Sequence, residues 1–133
     1  MKPEQNKLKL VQVLLVYYCN LACGYCYQDF SKVEVKKMSL KTFKSIVEKF
    51  KDEKNLDLNL FGGEPLLNKE IIDYVTGENF IIPNNITTIS LNTNGVFLDK
   101  KVRDFAQRNK KKVCIDLSID GNKEIHDFYR KDL

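Results

Sequence analysis

The stretch Val113-Cys114-Ile115-Asp116-Leu117-Ser118-Ile119-Asp120 alternates apolar and polar side chains from end to end. In an extended strand, a period of two puts Val113, Ile115, Leu117 and Ile119 on one face and Cys114, Asp116, Ser118 and Asp120 on the other. The same division recurs upstream. Leu56, Leu58 and Leu60 alternate with Asp57 and Asn59, and residues 86–92 carry Ser90 and Asn92 on a polar side that Asn94 continues. Residues 8–18, rich in Leu and Val, read as a further, buried strand. Between the strands the apolar spacing turns helical. Leu40, Phe43, Ile46, Val47 and Phe50 follow a capping Ser39; Leu67, Ile71 and Val75 run toward Gly77; Val102, Phe105 and Ala106 follow a capping Asp99. Asn122 opens a fourth helix. The order βαβαβαβ plus a last helix predicts an α/β fold on a parallel sheet with right-handed crossovers. Strands covered by helices on both faces are apolar almost throughout. These have one polar face each, which predicts helices on one side and a polar lumen or open half-barrel on the other. An antiparallel sheet with one wet face alternates too, but helices between successive strands argue against it.

Composition narrows the class. The 133 residues, 43% hydrophobic and 11% aromatic, suffice for one core and are too few for two ordinary domains. Disorder is excluded by the apolar content, and 6 Gly with 3 Pro exclude collagen-like or low-complexity chains. No apolar run approaches the roughly 18 residues of a membrane helix, so no membrane partner is expected. Lys2, Lys7 and Lys9 before Leu10–Tyr18 imitate a secretion signal, but Val16, Tyr17 and Tyr18 are too bulky for a cleavage site and Gln12 interrupts the run. The expectation is a cytoplasmic protein. The net charge of +4 comes from 22 basic and 18 acidic side chains spread along the chain. Lys110, Lys111 and Lys112 are the one dense run; without an aromatic platform they read as a solvated helix end, and no nucleic-acid partner is expected.

Four cysteines are too few for a disulfide scaffold, and three of them crowd into Cys19-Asn20-Leu21-Ala22-Cys23-Gly24-Tyr25-Cys26 directly after the first strand. Structural zinc wants four ligands in a closed tetrahedron; a second pair is missing here, which leaves Cys114 and His126 as the residues able to complete such a site. Ferredoxin-type clusters take four cysteines at other spacings. Three thiolates in one tight loop suit a [4Fe-4S] cluster with one iron open to another ligand. Three unliganded core cysteines fit poorly, because a loop with Gly and Asn is a bad place to bury them. Cys114 is expected to be a small buried residue, and the isolated His126 a capping or packing side chain.

The segment Tyr17 to Tyr27, YYCNLACGYCY, resembles the cluster loop of radical S-adenosylmethionine (SAM) enzymes, where CxxxCxxC follows the first strand of a partial (β/α)6 barrel. Phe61-Gly62-Gly63-Glu64-Pro65 is similar to that family's GGEP motif. Leu91-Asn92-Thr93-Asn94-Gly95, Ser118-Ile119-Asp120-Gly121 and Ile125 to Arg130 resemble further family segments in the same order. The branch most resembled modifies peptides and proteins, and includes sulfatase-maturating enzymes and SPASM-type maturases. The resemblance implies that Cys19, Cys23 and Cys26 ligate three irons of a [4Fe-4S] cluster whose fourth iron chelates SAM. It implies that Tyr25 lies against the adenine, that Gly62 and Gly63 let the backbone approach the ligand, and that Glu64 meets the SAM amino group while Pro65 ends the strand. Ser118 and Asp120 would bond ribose hydroxyls or the methionyl group. Asn94, with Asn92, would face the same lumen, and Arg130 would fork onto the SAM carboxylate. The implied reaction is reductive cleavage of SAM to a 5'-deoxyadenosyl radical, which takes hydrogen from a peptide or protein substrate. An electron donor such as ferredoxin or flavodoxin is implied as a partner. No further catalytic residue is assigned.

Six βα units of 30 or more residues need roughly 180 to 210 residues. The expectation is therefore a radical SAM core over residues 1–133 that stops after the fourth strand, the N-terminal portion of the barrel in about four βα units. A complementing chain for the missing half is a further expected partner. Two function classes stand: a radical SAM oxidoreductase of the maturase kind, and a non-catalytic cluster-binding fragment or half of a split enzyme.

Overall fold

In the computed structural model residues 7–133 are described; Lys2, part of the basic flank noted above, lies outside them. The fold is α/β around a five-stranded, mostly parallel sheet ordered β2-β1-β3-β4-β5. Strand β1 (Lys9–Tyr17) pairs in parallel with β3 (Leu56–Gly62), β3 with β4 (Ile86–Thr93), and β4 with β5 (Val113–Leu117). The strand absent from the sequence-based expectation is β2 (Lys36–Lys37), which runs antiparallel beside Val16 and Tyr17. Two residues carry no period to detect, and a pair of lysines suits a short edge.

The apolar face of each strand is covered by α1 (Leu40–Lys49), α2 (Lys69–Thr76) and α3 (Lys100–Arg108). Val13, Leu15, Leu56, Leu58, Leu60, Ile89 and Leu91 pack there with Phe43, Ile71, Val75, Val102 and Phe105 in one core. The expected caps are in place: Ser39 Oγ accepts from Thr42 N at 3.1 Å and Asp99 Oδ1 from Val102 N at 3.0 Å. Leu67 does not belong to the second helix. Pro65–Leu67 form a 3-10 turn, and the helix restarts behind Asn68, whose Oδ1 accepts from Ile71 N. The same buried amide donates to Leu15 O at 2.7 Å and Met38 O at 2.9 Å, tying the start of α2 to β1. Nor does Pro65 end the strand, which stops at Gly62.

The polar sides form the other face. Its rungs are Leu10, Asp57 and Thr88; then Gln12, Asn59, Ser90 and Cys114; then Asn92 and Asp116. Cys114 is exposed, contrary to the expectation of a buried residue, because it stands on this uncovered side. Strand β5 also ends at Leu117, not Ile119; these two are 45% and 63% exposed, beyond the reach of α3. Helix α4 (Lys123–Tyr129), capped by Asn122, buries none of its residues. No described helix is long and apolar enough to cross a membrane.

Candidate functional site

The loops that leave the C-terminal ends of the parallel strands meet in a groove of about 260 Å³. This is the end of an open α/β sheet where ligands ordinarily sit. Cys19, Cys23, Tyr25 and Cys26 come from the loop after β1, Gly62 and Gly63 from the end of β3 and the residue after it, Asn92 from β4 and Asn94 from just beyond it, and Ser118 and Arg130 directly follow β5 and α4. Sequence motifs up to 111 residues apart, from Cys19 to Arg130, therefore share one wall. A larger groove of about 530 Å³ lies on the helical side among Phe43, Tyr74 and Phe80, and holds none of the motif residues.

Cys19 is buried, Cys23 half-buried and Cys26 exposed, all as free thiols. Cys19 Sγ accepts from Leu21 N at 3.4 Å and from Asn94 Nδ2 at 3.7 Å; Arg130 Nη1 points at Cys23 Sγ from 3.9 Å. Burial pushes both thiols up, against the backbone N–H of Leu21 at Cys19 and the Arg130 charge at Cys23. Metal binding here must therefore expel protons, and the N–H donors then face thiolates. Among the described residues no three Cys, His, Asp or Glu side chains converge as a cage for a single ion. Cys114 and His126 do not line the groove; Cys114 faces Asp116, and His126 Nδ1 accepts from Asp120 N at 3.3 Å. Three thiols standing around a groove with donors at two of them fit a polynuclear group better than a lone ion.

The cysteine loop is held from two sides. On one side the chain's last residues run antiparallel to it: Ala22 N donates to Lys131 O at 2.7 Å, Gly24 N to Tyr129 O at 2.9 Å and Leu133 N to Asn20 O at 3.1 Å. On the other, Gly63 N donates to Val16 O at 3.1 Å and Glu64 N to Tyr18 O at 2.9 Å, so the β1–β3 ladder continues past both strands. A Cβ on Gly63 would stand 2.1 Å from Tyr18 O, and one on Gly62 2.5 Å from Val16 O. The two glycines are thus required first by the approach of protein to protein. Cys19, Leu21 and Phe30 form a small core of their own beneath the loop.

Two expected ligand contacts are engaged otherwise. The Glu64 side chain is only 1% exposed. Its Oε1 accepts from Leu66 N at 3.1 Å and Thr93 Oγ1 at 2.7 Å, and its Oε2 from Asn94 N at 2.8 Å. It lies behind the groove wall, fastening β3 to β4. Asp120 also stands behind the lining. Its Oδ2 accepts from Tyr25 OH at 2.6 Å and Arg130 Nε at 2.8 Å, and its Oδ1 from Arg130 Nη2 at 3.3 Å. The Tyr25 hydroxyl, then Arg130, hold the Asp120 carboxyl below the usual carboxylate range, with burial opposing. Burial and this carboxylate acceptor push Tyr25 up to about 12. Arg130 also lies 5.6 Å from the Tyr25 ring centroid, and Tyr129 packs on the same ring at 5.9 Å. Sequence reasoning passed over Asn20, whose Oδ1 accepts from Asn94 Nδ2 at 2.9 Å, and Thr93. The signal for Thr93 was available: alternation puts it beside Leu91 on the covered face, and a buried hydroxyl needs a partner.

A model of the radical SAM superfamily matches residues 13–132. The chain belongs to the radical SAM superfamily. Membership implies a [4Fe-4S] cluster and SAM, and the groove's thiol set fits that cluster. Among radical SAM relatives, the chain is 30% identical over 122 residues to a GTP 3',8-cyclase of Clostridium perfringens, covering 90% of this chain and 36% of that enzyme. It is 35% identical over 127 residues to a cysteine-type anaerobic sulfatase-maturating enzyme of Clostridium novyi, covering 86% and 33%. The solved structure of native anSMEcpe with bound AdoMet and Kp18Cys peptide superposes with a TM-score of 0.74 at 29% identity, over 95% of this chain and 36% of that one. The chain thus spans about a third of the length of these radical SAM relatives.

Proposed function

We propose that this radical SAM chain holds a [4Fe-4S] cluster through Cys19, Cys23 and Cys26, binds SAM beside it, and serves the modification of a peptide or protein. The observation that carries this reading is the shared groove, which gathers the three thiols with Gly62, Gly63, Asn94, Ser118 and Arg130. When bound, the cluster supplies the electron that cleaves SAM reductively to a 5'-deoxyadenosyl radical. The chain's own residues bind and orient. Asn94 Nδ2 and Leu21 N donate toward Cys19, and Arg130 toward Cys23, contacts that tune a thiolate-held cluster. Arg130 and Tyr25, now closed on Asp120, are the groups whose release offers a guanidinium fork and an aromatic face to SAM. Ser118 brings a hydroxyl to the same wall. Cys26, the exposed thiol of the groove, leaves the cluster accessible to an electron donor of the ferredoxin or flavodoxin kind. A reducing cytoplasm suits free thiols of this sort.

Anaerobic reconstitution followed by a SAM titration tests the proposal. About four irons and four sulfides per chain, an electron paramagnetic resonance spectrum that shifts with SAM, and release of 5'-deoxyadenosine with reductant are the expected results. A Cys23→Ala chain should lose the cluster. A full complement of iron in that variant would refute the ligand assignment, and a stable cluster with no cleavage would favour the non-catalytic module.

A further inference from the structure

Two exposed segments lean on each other beside the groove. The inner half of the cysteine loop is seated on the small core of Cys19, Leu21 and Phe30, but Ala22 and the stretch from Gly24 to Cys26 are exposed. Helix α4 buries none of its residues, and the tail behind it, Lys131 to Leu133, is exposed throughout. Among the described residues, the hydrogen bonds of α4 run within it, to Asn122 and Asp120 in the turn before it, or to the cysteine loop. The last five residues make that attachment. Tyr129 O accepts from Gly24 N, Lys131 O accepts from Ala22 N, Leu133 N donates to Asn20 O, and Leu21 faces Asp132 in an antiparallel bridge. Side chains fasten the same seam: Tyr129 packs on the Tyr25 ring at 5.9 Å, and Arg130 Nη1 reaches Cys23 Sγ at 3.9 Å. Each of these contacts falls on or between the three thiols.

We infer that residues 129–133 are a strap whose docking is linked to the filling of the cysteine loop. A loaded loop holds the strap and α4 down, and a docked strap tightens retention of the cluster. This rests on the reading of Cys19, Cys23 and Cys26 as the cluster's ligands. The physical basis is shared ordering. Every residue held in one conformation costs backbone entropy. Three thiolates tied to one cluster fix the loop between them, so the strap that pairs with it docks at a smaller further loss. Linkage is reciprocal: the strap favours the cluster by the same factor by which the cluster favours the strap. Arg130 rides on the strap, so filling the loop also brings its guanidinium to the groove wall.

The test compares the full chain by hydrogen exchange before and after anaerobic reconstitution with iron and sulfide, both counted on the same sample. Loading should slow exchange at the Arg130 and Leu133 amides by about tenfold or more. The Ile89 amide, which donates to Lys112 O at 2.7 Å within the sheet, should change by less than about twofold. Deleting residues 131–133 removes only exposed side chains and leaves the core whole. It should speed iron loss to a chelator by about tenfold or more. Leu133→Pro, which removes the N–H given to Asn20 O, should move iron loss the same way by about twofold or more. Leu133→Ala keeps that N–H and should match the parent. Exchange at Arg130 and Leu133 that ignores loading, iron loss unchanged by the deletion and by Leu133→Pro, or a Leu133→Ala chain as fast as Leu133→Pro would overturn the strap. The two readings fail differently: a chain that takes up no iron and sulfide refutes the ligand assignment, whereas a full cluster with unaltered exchange refutes the strap alone.

Discussion

At the scale of single residues, Glu64 shows how much a motif residue can do for the fold itself. The GGEP segment was legible, and so was its position at the end of a strand. What the sequence did not reveal was that Leu66, Thr93 and Asn94 would each donate to the carboxylate. These partners depend on where β4 ends, a tertiary fact with no local period. Removing the side chain strands buried donors, each costing about 1–3 kcal/mol. Glu64→Ala should therefore lower unfolding free energy by about 3 kcal/mol in urea titration, before any cofactor is added. An unchanged midpoint would show that the contact is dispensable. Asp120 gives a pH signature. Its folded carboxyl is held down by Tyr25 and Arg130, so the stability it contributes is present above the unfolded value of about 3.9 and lost as pH falls through the folded value. Melting temperatures of the parent and Asp120→Asn should differ at pH 5–7 and converge in stronger acid. A gap that widens on acidification would contradict this.

At the scale of elements, the strand alternation foretold the main result, namely which face the helices cover. That was possible because burial on one side imposes a period of two on every strand, and Leu56 to Leu60 display it in five residues. The lysine pair of β2 and the 3-10 turn at Pro65 are too short to impose any period. The ribbon formed by residues 129–133 was equally hidden. It is made of backbone hydrogen bonds, which any side chains but proline permit. The three thiols stood out by their spacing and the two glycines by resemblance to the family's GGEP motif, yet the scaffold that aligns them was not legible. Ala22 N–H is one strut of that scaffold. Ala22→Pro removes the donor to Lys131, and should speed hydrogen exchange at Gly24 and lower iron retention after reconstitution, while leaving far-UV circular dichroism nearly unchanged. Normal protection at Gly24 would mean that the ribbon is not what holds the loop.

At the scale of the whole molecule, the sheet is guarded unevenly. At one edge stand the exposed lysines of β2; at the other, β5 is unpaired among the described residues. Ile119, two residues past β5, is 63% exposed, and on α4 Ile125 and Phe128 are 49% and 64% exposed. An open strand edge next to apolar side chains favours association. Sedimentation velocity on the 133-residue chain should show mass rising with concentration, and Ile119→Lys should suppress the rise. A concentration-independent monomer would show that the edge is protected in solution.

The double anchoring of the cysteine loop has a consequence for anyone who would move it. The octapeptide from Cys19 to Cys26 owes its shape to Gly63 and Glu64 on one flank and to residues 129–133 on the other, stretches that lie far from it in the chain. Transplanted alone into a foreign turn, it would be a flexible peptide with three thiols. A usable graft must copy three separated pieces of backbone and the spacing of two neighbouring strands. What can be inherited or engineered here as a unit is therefore the rim of a sheet.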